Sequence, residues 1–349
     1  AVPFPEIAQA IEADLGQPLD KVFESVDHEP LAAASVAQVH AAKLLGGKSV
    51  VVKVLRPGIE NVLSTDLDFV YSAARLLEFL QPSLSHASLV ALASDIRTSM
   101  LEEVDLRKEA KNVDAFRQYI ASSGVPGIFA PYIFHEASGK RTLTMERVYG
   151  SAVTDLEAVR AACGGDPRVM IENVLSAWAG SVIACESFHA DVHAGNLLVT
   201  ADGRVAFVDF GIVGRVRPET WDAVRNLLYG LSSANFMVVA ESLAGIGASD
   251  GPADGVDLHA FAHDLQKLAE TLSSVEPTVA VNAGSDGHTS ASLVVDEAQV
   301  TRIALDVVRL GENYGLRFPR EFGLLLKQAL YFDRYLRLLA PSLSMQDIN

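Results

Sequence analysis

Cysteine is nearly absent. Cys163 and Cys185 are the only two in 349 residues, which excludes a disulfide framework and a zinc-finger spacing and makes a reducing compartment the default. Positive charge is also short. Twenty-eight Lys and Arg face 44 Asp and Glu, for a net charge of −16. That balance argues against broad binding to a nucleic-acid backbone and against nonspecific attraction of the whole surface to anionic lipid, though a local basic patch is compatible with it. No run reaches the roughly 18–20 apolar residues of a membrane span. The nearest, 174–185, is twelve residues long, is interrupted by Ser176, Gly180 and Ser181, and reads as a buried helix. There is no opening methionine: the chain starts at Ala1 inside a helix-like segment (Ile7, Ala10, Ile11, Leu15). The expectation is a truncated or processed N-terminus, so that signals upstream cannot be counted as absent. Repeats and low-complexity tails are missing too.

At 349 residues, about half apolar and a fifth charged, the chain has room for two lobes with separate cores. Residues 3–20 suggest a short helix stopped near Gly16-Gln17-Pro18. Residues 31–45 and 49–55 read as strands around Gly46-Gly47, the second being Val-Val-Val-Lys-Val-Leu from Val50. Helical pattern fills about 60–121, broken near Gln81-Pro82. Residues 124–131 read as a loop and 141–148 as a strand. Helices return near 155–187 and dominate from 218, with a polar, small-residue excursion over about 276–292 that looks flexible. A strand-rich first part followed by a helical second part predicts an α+β fold, divided into an N-lobe (1–148) and a helical C-lobe (149–349).

The strongest local signal is His189-Ala190-Asp191-Val192-His193-Ala194-Gly195-Asn196, with Asp209-Phe210-Gly211 beginning eighteen residues after Asp191. An aspartate, an asparagine five positions on, then D-F-G is the catalytic and metal-binding pattern of kinase-like phosphotransferases. One carboxylate orients or deprotonates the attacking hydroxyl, while an amide oxygen and a second carboxylate hold Mg²⁺ against nucleotide phosphates. Between them, 197–208 reads as two short strands around Asp202-Gly203, a hairpin that returns the chain to present Asp209. A lone D-F-G would be weak; the ordered pair is strong.

Other residues support this core. Lys53 lies in a strand that otherwise wants burial. It is either an edge lysine snorkelling to water or the lysine that contacts nucleotide phosphates. Its candidate partner is Glu109, in the middle of the stripe Leu106, Val113, Phe116, Ile120 on a helix predicted over 95–121. A carboxylate there reaches around to solvent or pairs with the lysine to offset desolvation. Upstream, Ala32-Ala33-Ala34-Ser35 holds the place of a glycine-rich phosphate loop with alanines, whose Cβ atoms penalise positive φ and should stiffen it. Glu146 and Val148, at the end of the 141–148 strand, lie where a hinge would meet an adenine.

Together these residues resemble the UbiB/AarF-domain family of atypical kinases, found in bacteria, mitochondria and plastids. The resemblance runs over nearly the whole chain and includes Glu103-Val104-Asp105 and the distal Leu316-Arg317-Phe318-Pro319-Arg320-Glu321. It implies a protein-kinase-like two-lobed fold, with a strand-containing N-lobe carrying extra helices and a mostly helical C-lobe. It also implies ATP or ADP with Mg as cofactors, ATPase or phosphotransferase activity, and support of prenylquinone metabolism at membranes. By position, Asp191 is the catalytic-loop aspartate, Asn196 and Asp209 the metal ligands, and Lys53 with Glu109 the ion pair. Ala32, Ala33, Ala34, Ser35 and Val51 would line the nucleotide, and Glu103 and Asp105 form the regulatory E-x-D that docks a K-x-G-Q element. That element is missing here: Asp14-Leu15-Gly16-Gln17 has aspartate for lysine and lies too near the alanine loop, so it is expected upstream of Ala1. Val51 stands where kinases usually place alanine, predicting a tighter adenine pocket. Ala190 replaces the arginine that reads a phosphorylated activation loop, and no A-P-E follows, which argues against regulation by activation-loop phosphorylation and against ordinary peptide docking.

The implied partners are an adenine nucleotide and prenyl-lipid or quinone-biosynthesis proteins, without nucleic acid. The implied setting is a mitochondrial, plastid or bacterial cytoplasmic membrane face, with peripheral association compatible with it; no transmembrane segment lies within these 349 residues. Two alternatives stand beside the enzyme: a nucleotide-sensing scaffold, favoured by the stiff alanine loop, and a small-molecule kinase of the aminoglycoside or choline kinase type, which shares HxDxHxGN but not the E-x-D and alanine loop.

Overall fold

The computed structural model describes residues 1–80, 89–102, 104–216, 220–247, 255–273, 279–283, 289–293 and 297–340. Packing divides the chain into two compact units, residues 1–114 with 131–147 and residues 115–130 with 148–349. Residues 115–130, placed with the first lobe in the sequence reading, thus pack with the second unit.

The first unit runs α1 (Phe4–Leu15), β1 (Phe23–Ala33), β2 (Ala37–Leu44), β3 (Ser49–Leu55), α2 (Ile59–Leu80), α3 (Leu89–Glu102) and the start of α4 (Leu106–Ser123). It resumes, after β4 (Ile128–Phe129) in the second unit, with β5 (Thr142–Glu146). Its sheet is antiparallel in the order β1-β2-β3-β5. Alternation along β3 explains its core: Val50, Val52 and Val54 are fully buried and pack with Ile7 and Ile11 of α1, Phe23, Leu44 and Phe134. Val51 and Lys53, out of phase by one, lie on the opposite face. Gly16 ends α1 in the left-handed conformation, φ +68°, its N–H bonded to Glu12 O.

Two expectations change here. The segment read as one strand over 31–45 is the end of β1, a turn at 34–36, and β2; β1 begins earlier, at Phe23. The helix predicted over 95–121 is two helices. Asp105 interrupts it as an N-cap, its carboxylate accepting from Arg107 N at 3.2 Å while Leu106 N turns away to Lys140 O at 2.9 Å.

The second unit contains β6 (Ser151–Ala152), α5 (Leu156–Ala162), α6 (Arg168–Ala184), β7 (Phe188–His189), β8 (Leu197–Val199), β9 (Val205–Phe207) and β10 (Val213–Gly214). After these come α7 (Trp221–Ser232), α8 (Phe236–Gly247), α9 (Leu258–Ser273), β11 (Val279–Ala283), β12 (Thr289–Leu293), α10 (Glu297–Asn313) and α11 (Arg320–Leu339). A small sheet of order β4-β9-β8-β6 includes the predicted hairpin, with Gly203 at φ +79° in its turn. The 124–131 loop supplies β4, which pairs in parallel with β9. The stretch expected to be a flexible excursion holds the antiparallel pair β11–β12, Val279 opposite Leu293. Helix α6 buries Val174, Ala177, Trp178 and Val182. Among the described residues, no helix is long and apolar enough to cross a membrane.

Candidate functional site

In the first unit, the out-of-phase position of Lys53 on β3 takes it away from the Val50–Val54 core and toward α4. Its Nζ donates to both carboxylate oxygens of Glu109, each at 2.9 Å. The side chains are 15% and 5% exposed, so the pair is nearly dry and the carboxylate does not reach around to solvent. Glu109 falls in the first turn of α4, where the helix dipole adds to its stabilisation as an anion. Asp105 is engaged by Arg107 through two hydrogen bonds, at 2.9 and 2.7 Å, besides its cap. The Arg107 side-chain hydrogen bond holds its carboxyl below the usual carboxylate range. Glu103 lies outside the described residues.

The alanine run sits at the β1–β2 turn. Ala32 and Ala33 pair with Val39 and Gln38, and Ala34 N closes the turn on Ala37 O at 2.9 Å. Ala32, Ala33, Ala34 and Ser35 are exposed, and none takes a positive φ. Val51, opposite Ala41 and Met145, shares the Lys53 face. Glu146 is occupied with Tyr132: its N–H donates to Tyr132 O at 2.8 Å and its carboxylate accepts from Tyr132 N at 3.1 Å. Val148 falls in the second unit.

In the second unit, one buried histidine ties the two motifs together. His189 Nε2 donates to Val208 O at 3.0 Å, and its Nδ1 accepts from Asp191 N at 3.2 Å. Only the neutral ring serves both bonds, and burial, the main cause, pushes its pKa down. Val208 is held at its other end by Asn196 O, 3.0 Å from Val208 N. Asn196 Nδ2 donates to Asp191 O at 2.9 Å, which leaves the amide oxygen as the ligand-capable atom. Asp209 itself adopts φ +58°, a conformation costing a non-glycine residue about 1–2 kcal/mol. The bonded Val208 before it, a Gly211 N–H to its Oδ1 at 3.3 Å, and Phe210 buried against His189 (4.5 Å between ring centroids) and Phe116 (5.2 Å) hold it there. An amide oxygen and a carboxylate make an all-oxygen donor set, which suits Mg²⁺ rather than a softer metal.

Sequence reasoning did not find the contribution of α11. Gln328, fully buried, accepts from Val192 N at 2.8 Å and donates to Ala190 O at 2.7 Å. Tyr335 OH donates to Val192 O at 2.9 Å, and Lys327 Nζ lies 3.3 Å from Asp191 Oδ1. A glutamine on the same helical stripe as Leu325, Phe332 and Tyr335 was a usable signal, since a polar group on an apolar face needs partners. Nothing in the sequence pointed to Lys327.

The ABC1 atypical kinase-like domain profile matches residues 1–243. The chain is similar to an uncharacterised chloroplastic aarF domain-containing protein kinase of Arabidopsis thaliana, 48% identical across 99% of this chain and 64% of that one. It is also similar to an uncharacterised protein of Mycobacterium tuberculosis, 33% identical across 97% of this chain and 65% of that one, and so spans just under two thirds of either relative. A probable protein kinase UbiB of Azotobacter vinelandii is 39% identical over 62% of this chain and 41% of its own. Among solved structures, an M. tuberculosis protein in complex with erythromycin superposes with a TM-score of 0.58 at 20% identity, covering 97% of this chain and 83% of that one. The fold is the α+β, kinase-like one expected from the sequence, strand-rich at the start and helical after. With the profile over well more than half the chain and a relative at 48% identity along nearly all of it, this protein belongs to the ABC1 atypical kinase-like family.

Proposed function

We propose that this protein binds MgATP or MgADP and acts as a phosphotransferase or ATPase in prenylquinone or related lipid metabolism, at a plastid, mitochondrial or bacterial membrane face. The observation that carries the reading is the hydrogen-bonded frame of the second unit, in which His189, Asn196 and Val208 join the Asp191 loop to the Asp209 segment. Such a frame fixes two carboxylates and an amide oxygen in advance, and phosphoryl transfer depends almost wholly on fixed charge and position. Asp191 is the group that orients the acceptor hydroxyl and takes its proton. Asn196 and Asp209 are the residues that would hold Mg²⁺, which when bound neutralises phosphate charge. Lys53, kept in place by Glu109, is the group for phosphate contact, and the β1–β2 turn with Ala32, Ala33, Ala34 and Ser35, together with Val51, is the first unit's contribution to nucleotide binding. The membrane setting rests on the family resemblance and the chloroplastic relative.

Thermal stabilisation by ligand tests the reading. MgATP or MgADP at a hundred times Kd should raise apparent stability by about 2.7 kcal/mol, and Asp209→Asn should abolish most of that. Equal stabilisation of both proteins would remove Asp209 from the metal site. The scaffold reading keeps one observation in its favour, an alanine turn built without any left-handed residue; nucleotide binding with no turnover under any acceptor would select it.

A further inference from the structure

The loop around Asp191 is held more completely than a surface loop needs. Ala190 N is bonded to Ile212 O, Ala190 O to Gln328, Asp191 N to His189, Asp191 O to Asn196, Val192 N to Gln328 and Val192 O to Tyr335. Every backbone donor and acceptor of the three residues is thereby committed, and His189 O before them takes the Trp178 indole N–H at 2.9 Å. Three of these bonds come from α11, which lies beyond residues 1–243 matched by the family profile. From the same helix, one position before Gln328, Lys327 reaches the Asp191 carboxylate at 3.3 Å, with side chains 33% and 18% exposed. Residues 189–196 contain neither lysine nor arginine, so the loop brings no permanent cation of its own to the aspartate; His193 Nε2, 3.5 Å from Oδ2, is its other close neighbour.

A partly exposed pair of this kind contributes little stability. Its placement is better explained by charge. An ammonium has three donors, and here one is directed at Asp191, the group assigned above to the acceptor hydroxyl. We propose that Lys327 is part of the phosphotransfer site: it orients the Asp191 carboxylate and donates to the γ-phosphoryl oxygens of a bound nucleoside triphosphate, with Gln328 the positioning residue that keeps the loop within its reach. The inference rests on the nucleotide reading above. During transfer the acceptor oxygen bonds to the γ-phosphorus, the bond to the β,γ-bridging oxygen breaks, the acceptor proton passes to Asp191 and the nucleoside diphosphate leaves with the electron pair. Lys327 meets the charge that gathers on the moving group.

The test uses the full chain with Lys327→Met and Lys327→Arg, measuring MgATP and MgADP affinity by thermal shift and, where turnover is detectable, phosphate release. A diphosphate lacks the group Lys327 is assigned to. Lys327→Met should therefore weaken MgATP about tenfold, the scale of one hydrogen bond to a charged group, and leave MgADP within about twofold. Turnover should fall roughly 10²-fold, as for one lost charge-stabilising donor, and Lys327→Arg should recover most of both. Wild-type affinities for both nucleotides in Lys327→Met, or equal weakening of the two, would overturn the assignment while leaving nucleotide binding intact. A wild-type protein that neither nucleotide stabilises would bring down the broader reading, and this one with it.

Discussion

Replacing Glu109 by Gln is the sharpest test of the first unit. The change keeps volume and keeps an oxygen that accepts from Lys53, and removes only the charge. Lys53, 15% exposed, then loses the carboxylate charge that faces it at 2.9 Å. Removing one partner of a buried pair costs about 3–5 kcal/mol; the retained hydrogen bond and the residual solvent at Lys53 bring the expectation to about 2–3 kcal/mol. Against a total stability of about 5–15 kcal/mol that is a large share. With a urea slope of about 1–3 kcal/mol per molar, the unfolding midpoint should fall by roughly 1–2 M. The double variant Lys53→Met with Glu109→Leu removes both charges and should recover most of the loss, because a well-packed apolar pair is often no worse than a buried ionic one. It should still fail to gain stability from MgATP, since the lysine is gone. Glu109→Gln as stable as wild type, or a double variant as damaged as the single, would mean that the pair is wetter and more loosely held than its 2.9 Å contacts describe.

Asp191→Asn should lower any ATPase rate by about 10²-fold or more while nucleotide still binds, the scale of losing a positioned acid–base group; normal hydrolysis by this variant would move the chemistry elsewhere. Ala33→Gly should alter the balance of ATP and ADP affinities more than stability, whose change is about 0.5–1 kcal/mol from unfolded-chain entropy, and titrating both nucleotides against both proteins decides it. His189 predicts a pH dependence. Its folded pKa lies below 6.5, burial outweighing attraction by Asp209 and Asp191, so its contribution is fully present above about pH 6.5 and is lost as pH falls toward the folded value. Chemical unfolding followed from pH 7.5 to 5 should show a decline that flattens in His189→Gln; parallel curves would mean that other groups set the slope.

The parts of this fold legible in the sequence are those governed by nearest neighbours. The β-branched run from Val50 placed β3, the lone lysine within it marked Lys53 as exceptional, and Asp202-Gly203 marked a hairpin whose turn needs a positive φ. Glu109 could be found because a carboxylate on an apolar stripe demands a partner. What stayed hidden depends on pairings distant in the chain. The helix break at Asp105 is sealed by Lys140 O, 34 residues away from Leu106 in sequence order, and the parallel partner of β4 is β9. The contribution of Lys327 to the aspartate loop leaves no local trace, because a lysine on a helix normally means only a solvated face.

The grip of α11 on the loop also dates the completion of the site during synthesis. Gln328 and Val192 are separated by 136 residues, so at about 5–20 residues per second the ribosome delivers the second partner roughly 7–27 s after the first. Until then the N–H of Val192 and the carbonyl of Ala190 must be satisfied by water. A nascent chain carrying all of the family-profile region would thus expose the loop around Asp191 with three of its backbone bonds unmade until α11 docks, and a chain cut short of residue 320 would keep it so.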